Sequence, residues 1–140
     1  MKVRDIMTKN PETVMPGTTI GAVASMMRDL DVGIIPVVNE GRLLGVITDR
    51  DITIRVTAAG LNPLETTVQD FMSPNPVSLS PDDKLEKARD LMSERQIRRL
   101  LVTEGDELVG IVSLGDVATK DKSEDDKTGK VLEEISESTK

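Results

Sequence analysis

Cysteine, histidine, tryptophan and tyrosine are all absent from this chain of 140 residues, and phenylalanine occurs once, at Phe71. Without cysteine there is no disulfide framework and no thiol nucleophile. Without histidine or cysteine the nitrogen and sulfur ligands of zinc are missing, and no Ser-His-Asp triad can be assembled. A catalytic base would have to be a carboxylate, a lysine or a group on the substrate. The shortage of aromatic rings removes the stacking platform that single-stranded bases need. The core must therefore be aliphatic, with seven methionines available to fill irregular space. Cations are in the minority, 18 Lys and Arg against 25 Asp and Glu, for a net charge of -7. Nucleic acid and anionic membrane surfaces repel such a chain unless its cations cluster. Long hydrophobic runs are also missing. The longest, Val32 to Val38, contains Gly33 and Pro36, whereas a spanning helix needs roughly 20 apolar residues. Met1 to Asn10 carries no hydrophobic signal region. Neither nucleic acid nor membrane is expected as a partner, and the expected location is the cytoplasm.

What is present is a globular composition, 37% hydrophobic and 31% charged, organised by an internal repeat. Val3 to Thr53 aligns with Val68 to Ala118 without a gap. Identical pairs include Met7/Met72, Asn10/Asn75, Pro11/Pro76, Pro16/Pro81, Gly45/Gly110 and Asp51/Asp116. Thr8/Ser73, Ile20/Leu85 and Thr48/Ser113 exchange like for like. A repeat of this length is one supersecondary unit used twice. Residues 1–57 are read as the first repeat, 58–67 as a linker, 68–120 as the second repeat and 121–140 as a charged tail. Mixed charge makes that tail an expected mobile segment, in which Val131, Leu132 and Ile135 could form one amphipathic turn.

Each repeat reads β-α-β-β-α. A short extended opening, Glu12 to Met15 or Val77 to Leu79, precedes a helix. In the second copy Ser80-Pro81-Asp82-Asp83 resembles a capping box with proline at the first helical position. The helical spacing of Ile20, Val23, Ala24, Met27 and Leu30, and of Leu85, Ala88, Leu91 and Met92, predicts one buried face per helix. Two hairpins follow. Ile34–Asn39 and Leu43–Thr48 flank Glu40-Gly41; Arg99–Glu104 and Glu107–Ser113 flank Gly105-Asp106. A last helix is expected near Asp49 and again near Leu114. The strands are apolar at successive positions, so both sheet faces should be covered. The fold class is α/β in the broad sense, α+β in detail, with the two repeats expected to pack sheet to sheet about a pseudo-two-fold axis.

The strand ends carry the chemistry. Thr48 closes a strand and opens a helix, with Asp51 three residues on; Ser113 and Asp116 repeat the pair. Free N–H groups at a helix start attract anions. A hydroxyl there can donate to phosphate, and a carboxylate one turn in can accept from both ribose hydroxyls. The same Thr/Ser-x-x-Asp pattern is also a capping box, which alone accounts for both residues. No nucleophile paired with a base and no glycine-rich loop with a lysine is evident, so the chain is not expected to be an enzyme.

The segments Gly45-Val-Ile-Thr-Asp-Arg-Asp51 and Gly110-Ile-Val-Ser-Leu-Gly-Asp116 resemble the signature ending of CBS domains, and Val3-Arg-Asp-Ile-Met-Thr8 and Val68-Gln-Asp-Phe-Met-Ser73 resemble their openings. The chain is similar to a stand-alone CBS pair, or Bateman module. That resemblance implies a non-catalytic sensor of AMP, ADP, ATP or S-adenosylmethionine, acting as a homodimer on an effector protein. No resident cofactor or metal is implied; Mg²⁺ would come with the nucleotide phosphate. The first cleft would comprise Thr48, Asp51, Arg98, Arg99, Val46, Pro76, Val77 and Ser78. The second would comprise Ser113, Asp116, Ile111, Pro11, Glu12 and Thr13. In the family pattern the Arg98-Arg99 position reaches the phosphate held by the other copy's pair, and guanidinium suits phosphate. The first cleft is thus expected to prefer phosphorylated ligands. The alternative is a ligand-free scaffold whose Thr/Ser-x-x-Asp pairs are only caps.

Overall fold

The computed structural model describes residues 1–120; the tail and its expected amphipathic turn lie outside the described residues. The fold is mixed α+β. Glu12–Pro76 form one compact unit, here the central unit, and Met1–Pro11 join the chain from Val77 onward in a second, split unit. Each unit has its own aliphatic core.

In the central unit, strands β2 (Ile34–Asn39) and β3 (Arg42–Thr48) form an antiparallel hairpin. Glu40 and Gly41 adopt φ 52° and 81°, the left-handed pair that a two-residue turn requires. Val14 bridges Val37 in parallel on one side, and β4 (Ser73–Pro74) pairs with β3 on the other. Helix α1 (Ile20–Leu30) buries Ile20, Val23 and Met27 against Val14, Ile35, Val37, Ile47, Val56 and Val68. Ala24 and Leu30, expected on the same face, are exposed. Helix α2 (Asp49–Asp51) runs on as a π-helix, Ile52–Thr57. From it Arg55 donates to the Phe71 carbonyl at 3.0 Å and lies over the Phe71 ring.

The split unit repeats this plan. Strand β5 (Ser78–Leu79) runs parallel to β6 (Arg99–Glu104), which is antiparallel to β7 (Glu107–Ser113), and β1 (Thr8–Lys9) closes the other side of β7. Helices α3 (Leu85–Arg95) and α4 (Leu114–Lys120) contribute Leu85, Ala88, Met92, Leu114 and Val117 to its core, with Leu79, Leu100, Val102 and Val112. Val3 and Ile6 complete it.

The opening segments are therefore exchanged. Val68, Phe71 and Met72, which begin the second repeat, pack in the central unit, and Val3, Ile6 and Met7, which begin the first, pack in the split unit. The glycines of the hairpins make this possible. A Cβ at Gly110 would stand 2.7 Å from Met7 Sδ, and one at Gly45 would stand 2.6 Å from the Ser73 carbonyl oxygen and 3.1 Å from Met72 Sδ. The linker is docked as well. The Ile20 and Gly21 N–H groups, free at the start of α1, donate to the carbonyls of Thr66 and Pro63, while Thr19 Oγ1 caps Ala22.

The Ser80–Asp83 turn corrects one expectation. Only half of its box forms: Ser80 N–H donates to Asp83 Oδ2 at 2.8 Å, but Ser80 Oγ accepts from Asp82 N–H at 3.2 Å, and the Asp83 N–H donates to the Ser80 carbonyl instead. Lys84 is extended and the helix starts at Leu85. The carbonyls of Pro81 and Asp83 accept from Arg4 and Val3, so they are not available to a helical ladder.

Candidate functional site

Both strand-to-helix turns close as reciprocal boxes. In the central unit Thr48 is extended (φ -113°, ψ 160°); its Oγ1 accepts from Asp51 N–H at 3.1 Å, and Asp51 Oδ2 accepts from Thr48 N–H at 3.0 Å. In the split unit Ser113 Oγ accepts from Asp116 N–H and Asp116 Oδ2 accepts from Ser113 N–H, each at 3.0 Å. All four side chains are half-buried. Each box occupies one carboxylate oxygen and one lone pair of the hydroxyl. The second carboxylate oxygen and the hydroxyl proton make no hydrogen bond among the described residues. The cap thus leaves one acceptor and one donor open at each turn, half-shielded from water.

Strand alternation fixes what stands beside them. Ile35, Val37 and Ile47 point into the central core, so Val46 and Thr48 share the opposite face. Leu100, Val102 and Val112 point into the split core, so Ile111 and Ser113 share the opposite face there. Val46 and Ile111, expected to flank a base, do lie on the face of their own hydroxyl residue.

The expected residue sets divide between the units. Thr48, Asp51, Val46 and Pro76 belong to the central unit, Pro76 following the strand that places Ser73 opposite Val46. Arg98, Arg99, Val77 and Ser78 belong to the split unit. There Val77 packs on the aliphatic core, and Ser78 Oγ accepts from Thr103 Oγ1 at 3.1 Å. Of the second set, Ser113, Asp116, Ile111 and Pro11 lie in the split unit, Pro11 following the strand that places Thr8 opposite Ile111. Glu12 and Thr13, both exposed, open the central unit.

Two features escape a reading of the repeat. Arg99 is the cross-strand partner of Ser113, as Ile34 is of Thr48. The Arg98 carbonyl accepts from Leu114 N–H at 2.7 Å, as the Gly33 carbonyl accepts from Asp49 N–H at 3.0 Å. Side by side, the aligned segments do contain this pairing, but only the hairpin register turns alignment into adjacency. Among the described residues no cluster of three or more His, Cys, Asp or Glu could hold a metal ion, and no helix is long and apolar enough to cross a membrane.

A family model described as the CBS domain matches residues 3–57 and again 68–122. The CBS domain-containing protein YhcV of Bacillus subtilis (strain 168) is 46% identical over 134 residues, covering 96% of this chain and 94% of that protein. Among solved structures, Hypoxic Response Protein I with two coordinated zinc ions superposes with a TM-score of 0.78 at 34% identity, over 86% of this chain and 98% of that one. CBSX2 in complex with AMP superposes with a TM-score of 0.73 at 27% identity, over 84% of this chain and 93% of that one.

Proposed function

Since the chain belongs to the CBS-domain family, with two such domains in tandem, we propose that it is a non-catalytic regulatory module of the cytoplasm that binds an adenosine-containing ligand. The ligand class comprises AMP, ADP, ATP and S-adenosylmethionine. Thr48 with Asp51, and Ser113 with Asp116, bind it, their hydroxyls donating to phosphate or another acceptor and their carboxylates accepting from ribose. Arg98 and Arg99 supply the cations for phosphate, and Mg²⁺ enters only with a nucleotide that carries it. Val46, Pro76, Val77 and Ser78, and Ile111, Pro11, Glu12 and Thr13, offer aliphatic and backbone contacts to the base. The module works as a homodimer whose equilibrium the ligand shifts, and an effector protein reads the shift.

One observation carries this reading: the doubled turn, in which each box leaves a carboxylate oxygen and a hydroxyl proton unspent. The AMP complex of CBSX2 supports the ligand class. The zinc of Hypoxic Response Protein I does not transfer. Zinc in proteins is held chiefly by cysteine and histidine, and this chain has neither.

Scanning calorimetry tests the reading, with AMP, ADP, ATP with and without Mg²⁺, S-adenosylmethionine and GTP. A native-state ligand at a hundred times its Kd stabilises by ~2.7 kcal/mol, which raises the midpoint by several degrees. An adenosine compound is expected to produce that rise, and GTP is not. The scaffold reading is the alternative, favoured by the completeness of both boxes as caps; no rise with any compound would establish it.

A further inference from the structure

Asp51 and Arg55 stand four positions apart, acid first, on the helix that the Thr48 box opens. That spacing and that order favour an ion pair. None forms: Asp51 makes only the two hydrogen bonds of its box among the described residues, and Arg55 is engaged elsewhere. The guanidinium donates to the Phe71 carbonyl at 3.0 Å, and its central carbon lies 5.9 Å from the centroid of the Phe71 ring, within reach of a cation–π contact. The helix also changes its winding between the acid and the base. From Ile52 it is a π-helix, with Ala58 N–H on the Thr53 carbonyl at 2.9 Å. Such winding is rare and often marks a functional site; α4, which follows the Ser113 box, is a regular α-helix. Phe71 is likewise particular to this unit, since the aligned residue of the other copy is Ile6. It packs against the core of the central unit, so its ring is a fixed support. The other carboxylate of the turn is occupied: Asp49 Oδ1 accepts from Arg50 N–H at 2.8 Å, and Oδ2 lies over Gly33, 3.0 Å from the position of a Cβ there. Asp51 is thus the acid that Arg55 would meet on leaving Phe71.

We infer that Phe71 is a positioning residue for the Thr48 turn. Its ring and carbonyl hold the Arg55 guanidinium off Asp51 and so leave the second carboxylate oxygen open to ribose. Freed from the ring, Arg55 pairs with the acid four residues before it and occupies the oxygen that the ligand needs. The two states are close in energy, because an exposed cation–π contact and an exposed acid–base pair along a helix are both small. The contact also ties the helix of the turn to the segment that runs on into β4, where Ser73 stands opposite Val46. The inference rests on the Thr48 turn being a ligand site and adds what keeps that site open.

NMR of the full chain tests this in two steps, the first without ligand. Phe71 is the only aromatic ring in the chain, so an upfield ring-current shift of the Arg55 side-chain protons can come from no other residue. That shift is expected in the wild type and is lost in Phe71→Ile, which takes the residue of the aligned position. Circular dichroism checks the fold, and Phe71→Leu substitutes for a variant that is not folded. Absence of the shift in the wild type overturns the inference, whatever binds. The second step follows ligand affinity at the two turns separately, through the amide signals of Asp51 and Asp116. Adenosine is the probe, because it has no charge for salt to screen; AMP replaces it if adenosine is too weak to register. Phe71→Ile is expected to weaken binding at the Thr48 turn about twofold and to leave the Ser113 turn unchanged. Arg55→Gln in that background is expected to restore the wild-type affinity, and salt at about 1 M to narrow the loss for adenosine. A loss that Arg55→Gln does not restore would assign Phe71 to packing alone and overturn the inference, as would an affinity that Phe71→Ile leaves unchanged. No perturbation of either turn by adenosine or AMP removes the ligand reading, and the positioning role with it, while the ring-current shift would still report the contact.

Discussion

If the proposed function holds, Asp51 has two tasks, cap and ribose ligand, that one substitution separates from another. As a cap it gives Oδ2 to the Thr48 N–H and a negative charge to the start of α2. Asp51→Ala removes both, at a cost of about 1 kcal/mol without ligand. Asp51→Asn keeps an oxygen for the same N–H and loses only the charge, so it should cost a few tenths of that. For ribose the charge matters more, since a hydrogen bond to a charged group is roughly twice as strong as a neutral one. Both variants should therefore lose most of the ligand-induced rise in melting temperature at this turn, although only one is appreciably destabilised. Melting curves with and without AMP check this; if Asn retained the full rise, the residue would be a cap and nothing more. Thr48, Asp51, Ser113 and Asp116 were legible in the sequence because one local pattern creates the box wherever a strand runs into a helix. The place of Arg99 was not, because it depends on which residue of β7 lies opposite, a matter of register rather than of sequence spacing.

Among the elements, the hairpins were the most legible. Glu40-Gly41 and Gly105-Asp106 leave little choice of turn, and the observed strands match the expected ones to within a residue. The opening segments were not. Met7/Met72 and Gly45/Gly110 are identities of the repeat, yet the contacts run crosswise: Met7 rests on Gly110 and Met72 on Gly45. Self-alignment cannot distinguish a strand that returns to its own repeat from one that crosses to the other. The crosswise contacts predict unequal glycine substitutions. Gly110→Ala meets the flexible Met7 side chain first, at 2.7 Å, and the Thr8 carbonyl only at 3.0 Å, whereas Gly45→Ala meets the Ser73 carbonyl, which is backbone, at 2.6 Å. Overpacking of this kind costs roughly 1–3 kcal/mol, and Gly45→Ala should lie at the upper end. Shortening the methionine should relieve Gly110→Ala more than Gly45→Ala. The double variant Met7→Ala with Gly110→Ala is expected to be more stable than the sum of the single effects, and Met72→Ala with Gly45→Ala to show a smaller coupling, because the Ser73 carbonyl at 2.6 Å stays in the way. Denaturant unfolding of the wild type and the six variants measures both cycles; equal coupling in the two would mean that the Ser73 carbonyl does not set the cost at Gly45.

At the scale of the whole chain, the exchange makes one unit contiguous and the other dependent on a distant segment. The central unit holds its core entirely between Val14 and Met72. The split unit must bring Val3, Ile6 and Met7 to Leu79, Leu100 and Val112, closing a loop that contains the central unit. Closure entropy rises only slowly with loop length, so the arrangement is affordable, but it makes the core of the split unit depend on residues far away in sequence. Val3 is fully buried and Ile6 nearly so, and each such side chain contributes roughly 1.5–3 kcal/mol. Removing residues 1–7 also frees the carbonyls of Pro81 and Asp83 from Arg4 and Val3, and uncovers Gly110. None of these groups belongs to the central core. Deletion of residues 1–7 should therefore lower amide hydrogen-exchange protection across 79–118 far more than across 14–72. A drop of similar size in both would mean that the two cores open as one cooperative unit, in spite of sharing no member. The outcome bears on regulation as well, because the Ser113/Asp116 turn sits at the end of the strand that β1 pairs with. A unit that loosens when its terminal segment is lost would couple the state of that segment to occupancy of the turn. The truncated chain should then show a weaker ligand-induced rise in protection at 113–118 than at 48–53.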